Sequence, residues 1–222
     1  MDTWPILLSL KLAFYTVICV LSAGIPLGYY LASGRSAVKT FLEGFLSLPL
    51  VLPPSVLGFY ILLMLGPGGF IGGAVEKMFG TRLVFTFEGI VIACVIYSLP
   101  FFAVPFKDAV CSLPKSMLET SYSLGAGRLK TFFRVILPNI KNTVMSGILM
   151  VFAHTMGAFG VVLMIGGNIP GRTDTASIAV YTQIERLDYL SAHKYAAVLG
   201  MLALSIVFLV NRLKQAGCYD RT

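Results

Sequence analysis

The chain has 222 residues, 57% hydrophobic and 12% charged, with a mean hydropathy of +0.84 and a formal net charge of +7. That profile excludes an ordinary soluble domain and indicates a polytopic membrane protein, residues 1–222 forming one transmembrane domain. A surplus of positive charge can signal nucleic acid, but no basic stripe with interleaved aromatics is present, and charges scattered on an apolar chain orient membrane spans instead.

The N-terminal run MDTWPILLSLK lacks the basic region of a cleavable signal, and the apolar stretch behind it is too long for one. It reads as the entry to a permanent span. Five stretches are long enough to cross roughly 30 Å of hydrocarbon at about 1.5 Å per residue. They run from Leu12 to Ala32, with Lys11 at the outer edge, and from Phe45 to Leu65. The others run from Gly89 to Phe106, Asn142 to Ile165 and Tyr195 to Val210.

The second span reads LPLVLPPSVLGFY. Pro49, Pro53 and Pro54, followed by Ser55, remove backbone donors and crowd the preceding turn. The third span repeats the theme with Pro100 and Pro105. Such prolines serve either as packing kinks or as breaks in helices that line a pathway for a polar solute. Two proline-interrupted spans in one short chain favour the pathway. Between Gly66 and Glu88, the run GPGGFIGG resembles a phosphate-cradling loop in composition alone. No GxxxxGK followed by Ser or Thr is present, so it reads as a flexible external turn before a short segment around Val75 to Met78.

The fourth span contains AHTMGAFG. Ala153, Gly157 and Gly160 place small residues near one face, which permits close helix approach. His154 and Thr155 bring polar groups to mid-membrane, where such residues are functional candidates. With Gly157 they join Pro49, Pro53, Pro54 and Ser55 as candidate pathway residues. The preferred reading of His154 alone is a hydrogen bond to a neighbouring helix, and with no acidic residue in any span a proton relay is disfavoured. Downstream, Gly166-Gly167-Asn168 ends the helix and Pro170-Gly171 makes a turn. Thr173 or Asp174 is placed to cap a helix over Ala176 to Glu185. Asn168, Pro170, Gly171, Arg172 and Thr173 form the candidate external loop, and the helix after it reads as interfacial.

Five spans put the termini on opposite sides. With the N-terminus outside, the inner segments hold eleven Lys and Arg and the outer segments five, so the C-terminus and the long polar stretch after the third span are placed in the cytoplasm. Cys19 and Cys94 fall in spans, Cys111 and Cys218 on inner stretches. His154 and His193 lie on different segments, so neither a disulfide framework nor a metal site is expected.

That polar stretch, LETSYSLGAGRLKTFFRVILPNI over Leu118 to Ile140, reads as a helix, a Gly125-Ala126-Gly127 break and a second basic-aromatic segment stopping at Pro138. Ser112 can cap the first helix with Pro114 in its first turn. Leu118, Ser121, Tyr122 and Gly125 are spaced to share a face, and Gly125 and Gly127 permit positive φ and close approach. Glu119 offers a carboxylate that a partner arginine could meet with two hydrogen bonds. By itself this is equally a solvated amphipathic helix on the membrane.

The stretch resembles the EAA loop of ABC importer permeases: a glutamate, a glycine six residues on, then a distal leucine-proline. Glu119, Gly125, Ala126, Phe133, Leu137 and Pro138 match, while Thr120 and Ser121 replace the usual alanines. The resemblance implies an all-α permease of the type I importer fold. It also implies a coupling helix, within about 112–138, that docks into a cleft of the ATPase subunit through Glu119, Ser121, Tyr122, Gly125, Ala126, Gly127 and Arg128. LSLPLVLPPSVLGFYIL and GGNIPGRTDTASIAVYTQI are in addition similar to the molybdate, or oxyanion, branch, with one departure. His154 and Ala158 stand where that branch has Arg and Glu. A homodimer in the cytoplasmic membrane is implied by the same resemblance, with two ATPase subunits carrying ATP and Mg, an external oxyanion-binding protein, and no cofactor on this chain. A sulfate or tungstate permease is the nearest alternative, then an iron or polyamine permease. A membrane-embedded enzyme is the distant alternative, disfavoured because it would show clustered His, Asp or Glu at one membrane face.

Overall fold

The computed structural model describes residues 2–34 and 36–219, with side chains described up to Leu213; Arg35, the side chains of Lys214 and Cys218, and Arg221 lie outside the described set. Among the described residues all regular structure is helical. The helices are α1 (Trp4–Ala32), α2 (Ala37–Val51), α3 (Pro54–Leu65), α4 (Phe70–Phe79), α5 (Phe87–Cys111) and α6 (Lys115–Ser123). They continue with α7 (Arg128–Asn139), α8 (Lys141–Gly157), α9 (Gly160–Gly166), α10 (Ala176–Glu185) and α11 (Tyr189–Tyr219).

Among the described residues four stretches are long and apolar enough to cross a membrane: Trp4–Ala32, Pro54–Phe79, Phe87–Cys111 and Tyr189–Leu213. The bent pair α7–α8 makes a fifth when it is counted as one span. The protein is therefore a multi-pass membrane protein. The number of spans matches the sequence reading, but several bounds do not. The stretch Phe45 to Leu65 is not one helix, because α2 ends at Val51, Leu52 turns extended with ψ 139° and α3 begins at Pro54. Tandem prolines explain this: each pushes its predecessor out of the helical region, and the second is pre-shaped for a first helical position. The apolar span instead runs from Pro54 through Phe79. Pro100 and Pro105 do not break α5, which stays continuous from Phe87 to Cys111. The last span begins at Tyr189, six residues before the expected Tyr195.

The glycine run before α4 is not a loose turn. A Cβ on Gly69 would run into the carbonyl oxygens of Leu63 and Met64, and one on Gly72 into those of Leu65 and Gly66. Glycine is present there because the backbone folds back on itself.

The most buried span is α5, and it packs against α1, α2, α8 and α9. Lipid tails are as apolar as these side chains, so helices in a bilayer are held together by close packing rather than by escape from water. Phe102, 1% exposed, supplies the central contact. A Cβ on Gly24 of α1 or on Gly147 of α8 would come within 2.8 Å of its ring, and one on Gly28 within 2.8 Å of Phe106. These glycines, not the Gly157 singled out from sequence, bring the helices together. Gly157 has nothing within 4 Å of a built Cβ, whereas Gly160 does approach Pro54 of α3, at 3.3 Å. At one end of α5, Lys107 pairs with Glu43 of α2 and with Asp108. That ion pair links α5 to an α2 that buries no residue of its own.

Candidate functional site

The polar segment after α5 is built as a helix with a defined stop. Ser112 does not cap α6; it closes α5, donating from its hydroxyl to the carbonyl of Ala109, and Pro114 occupies the N-cap position without a side-chain bond. At the other end, the Ala126 N–H donates to Ser121 O at 3.1 Å and the Gly125 N–H to Tyr122 O at 2.9 Å, with Gly125 at φ +74°. This pair of bonds is the Schellman arrangement, which needs a left-handed residue at the Gly125 position. Gly127 does not take positive φ; at φ −69° and ψ 166° it is the extended residue that starts α7.

The face proposed from spacing is divided. Ser121 is buried and its hydroxyl lies 2.9 Å from that of Thr131, bracing α6 against α7, while Leu118 packs on the core. Glu119, Tyr122, Gly125, Gly127 and Arg128 face outward, with Ala126 half-buried. Nothing lies within 4 Å of a Cβ built on Gly125 or Gly127, so this surface is open. Leu124, Leu129 and Phe133 are exposed beside it. An adjoining groove of about 560 Å³ has Met117, Leu124, Lys130, Arg134 and Val135 in its lining. Within α7, Phe132–Ile136 is π-helical, and the chain then bends by 75° into α8. Pro138 does not end the segment; it sits in the last turn, before the bend at Ile140.

A second feature lies among the spans. Pro54 and Ser55 of α3, Tyr97 of α5, Ala153, His154 and Gly157 of α8, and Ala158, Phe159 and Gly160 after it line a cavity of about 620 Å³. Four residues chosen as pathway candidates, Pro54, Ser55, His154 and Gly157, are thus brought together. Three are not. Pro49 stays inside α2 and Pro53 precedes the lining, while Thr155 is buried, its hydroxyl donating to Val151 O at 2.8 Å and lying 3.4 Å from that of Ser98. The cavity forms where α8 stops: Ala158 turns extended, and its carbonyl accepts from the Ser177 hydroxyl of α10 at 2.8 Å.

His154 does not hydrogen-bond a neighbouring helix through Nε2, which is buried without a partner among the described residues. Its ring lies between Tyr97 and Phe101, with centroids 4.3 and 4.1 Å away. Tyr97 and Phe101 were not legible as site residues, since aromatics in an apolar span carry no signal that separates lining from packing.

The loop after α9 is ordered by Thr173. Its hydroxyl donates to Gly166 O at 2.7 Å and accepts from the Ile169 N–H at 2.9 Å. Gly167 ends α9 in the left-handed region at φ +67°, as its position suggests, and Asn168 donates to the Thr182 hydroxyl. Neither Thr173 nor Asp174 caps α10. Asp174 accepts from the Gly171 N–H, burial pushing its carboxyl above the ordinary value, and the Ala176 N–H donates to Ser9 of α1 instead. Nor does α10 simply lie at an interface: Ile178 and Ala179 are buried as it packs on α1, α8 and α11. Pro170, Gly171 and Arg172 remain exposed.

Bent apolar spans around a cavity, with an outward-facing, firmly capped helix between two of them, are the features that any account of this membrane protein has to place. Residues 24–216 match the family described as binding-protein-dependent transport system inner membrane component, and the chain belongs to that family. Its members are transport subunits and not enzymes. The chain is 40% identical over 207 residues to the molybdenum transport system permease protein ModB of Azotobacter vinelandii, covering 93% of this chain and 92% of that one. It is 34% identical to ModB of Escherichia coli K12 over 81% of this chain and 79% of that one. To the probable sulfate transport system permease protein cysT of Chlorella vulgaris it is 32% identical, covering 92% and 77%. In fold it is similar to a chain of a bacterial ABC transporter that imports the acidic polysaccharide alginate, with TM-score 0.77 at 18% identity over 96% of this chain and 78% of that one. A chain of the MetNI methionine ABC transporter gives 0.64 at 16% identity over 97% and 94%. The fold is that of ABC importer permeases.

Proposed function

We propose that this chain is the channel-forming permease of an ATP-driven importer of molybdate. The observation that carries this reading is the 40% identity, over nearly the whole of both chains, to a permease named for molybdenum. Two copies pair in the cytoplasmic membrane, N-terminus outside and C-terminus inside. An external binding protein delivers the anion, and two ATPase subunits that bind ATP and Mg engage the surface around Glu119, Tyr122 and Arg128. The open, Schellman-capped end of α6 supports that engagement, because a partner can approach Gly125 and Gly127 without meeting a side chain. ATP closes the ATPase subunits, their movement draws the two α6 segments together, and the spans reorient about the cavity. Coupling of this kind requires the segment to bind the two nucleotide states with different free energies.

The test is copurification with the ATPase, followed by ATP hydrolysis stimulated by molybdate-loaded binding protein. Uptake into proteoliposomes without the ATPase would refute the reading, and so would a reporter after Asn139 that reads as external. Sulfate is the second reading, favoured by the 32% identity to a sulfate permease. Titrating the binding protein with molybdate, tungstate and sulfate separates the two.

A further inference from the structure

Helix α7 carries three kinds of surface. Thr131 and Ile136 are buried against the rest of the chain. Leu129 and Phe133, four residues apart, are 76% and 61% exposed. Lys130 and Arg134, their neighbours in sequence, are exposed as well, and among the described residues neither pairs with a carboxylate. Both cations line the groove of about 560 Å³, together with Ser116, Met117 and Val135. The helix also has a defined attitude. It is bent by 75° from α8, which enters the apolar layer with α9 behind it, so α7 lies close to the plane of the membrane surface. An apolar row beside a basic row, on a helix lying in that plane, suits the boundary between lipid headgroups and chains. Within the same helix Phe132–Ile136 is π-helical, a rare form that is frequent at functional sites.

We propose that the groove between α6 and α7 holds an anionic phospholipid of the cytoplasmic leaflet. Its phosphate is met by Lys130 and by Arg134, whose guanidinium can give it two parallel hydrogen bonds, and Ser116 adds a hydroxyl. Leu129 and Phe133 take their place among the acyl chains, a contact that a free phosphate ion would not make. Charge selects the lipid, because two cations without a carboxylate favour an anionic head over a zwitterionic one. Each basic residue close to an anionic membrane surface is worth roughly fivefold in affinity, and the pair up to about thirtyfold. A lipid held there fixes the attitude of α7, and α6 is braced on α7 by the 2.9 Å contact between the Ser121 and Thr131 hydroxyls. The lipid therefore bears on the surface around Glu119. Only the choice of the cytoplasmic leaflet rests on the topology of the importer reading.

The experiment uses the full assembly of permease, ATPase and binding protein in vesicles of phosphatidylcholine and phosphatidylglycerol. Trp4→Phe removes the single tryptophan of this chain, and Phe133→Trp then places one beside the groove. Bromine is carried on the chains of one lipid or the other, and the signal is the quenching beyond that of the assembly with Trp4→Phe alone. Brominated phosphatidylglycerol is expected to quench more than the same fraction of brominated phosphatidylcholine. Lys130→Gln with Arg134→Gln is expected to lower that preference by up to about thirtyfold, whereas Lys130→Arg keeps it and high salt weakens it. Equal quenching by the two lipids would overturn the proposal, since the helix would then touch the membrane without selecting a headgroup. Quenching by neither would overturn it as well, a protein partner then covering the helix. So would a preference that survives the double substitution. Size-exclusion chromatography and the thermal midpoint show whether that variant folds; if it does not, a preference unmoved by salt in the parent overturns the proposal. An external reporter after Asn139 would overturn the topology instead, and is distinguishable because it leaves the lipid preference standing.

Discussion

Gly125 allows the capped helix to be tested with little interference from packing. It sits at φ +74°, and a Cβ built on it meets nothing within 4 Å. A side chain there therefore adds backbone strain without a clash inside the subunit. The left-handed conformation costs an ordinary L-residue about 1–2 kcal/mol, and asparagine less, because its short side chain tolerates that region. If the bonds from Gly125 to Tyr122 and from Ala126 to Ser121 must be in place for the ATPase to engage, that strain weakens the complex by roughly five- to thirtyfold. The expected order of affinity is glycine, then Asn, then Ala. Gly125→Asp shares the tolerance of Asn, so any loss beyond that of Asn reports a charge placed against the partner; it is expected to uncouple hydrolysis from uptake in a dimer that stays folded. Affinity is measured by titrating the detergent-solubilised permease with ATPase, and coupling by uptake per ATP in proteoliposomes. Equal affinities for Gly125→Ala and wild type would refute the reasoning, since the cap would then contribute nothing to docking. So would Ala binding better than Asn.

Gly147→Ala would press a methyl against Phe102, and is expected to cost about 1–3 kcal/mol, read as a lowered thermal midpoint that Phe102→Leu in the same chain partly restores. Thr173→Val leaves Gly166 O and the Ile169 N–H without their partner, at a cost of about 1–3 kcal/mol for each buried group, whereas Thr173→Ser keeps both bonds; limited proteolysis of the loop after α9 should separate the two variants. A double-mutant cycle on Glu43→Gln and Lys107→Met should return a coupling of up to about 1 kcal/mol. A coupling of zero would mean that packing rather than the ion pair holds α2.

Polarity was readable along the chain, and so were the five apolar stretches and the polar segment around Glu119. Hydropathy and glycine placement are local properties, and each reports on its own few residues. Gly167 could be recognised as a helix stop for the same reason, because a left-handed cap is specified by its own backbone. The prolines were less informative. Pro53 and Pro54 break the chain, but Pro100 and Pro105 are absorbed into an α5 packed on several sides. Proline chemistry is identical at all four positions, and the neighbours differ.

By itself the sequence determined the membrane class, about five apolar spans, and a glycine break after the helix around Glu119, while offering Gly125 and Gly127 alike for the left-handed position that the structure gives to Gly125. Only the tertiary structure decided which small residues bring helices together, Gly24, Gly28 and Gly147 rather than Gly157. It also decided that Pro54, Ser55, Tyr97 and His154 share one cavity although they are far apart in the chain. The reason is physical. A cap is closed by bonds between residues a few positions apart, whereas a cavity is the space left when distant helices pack. What fills that space depends on side chains whose neighbours are unknown until the helices are in place.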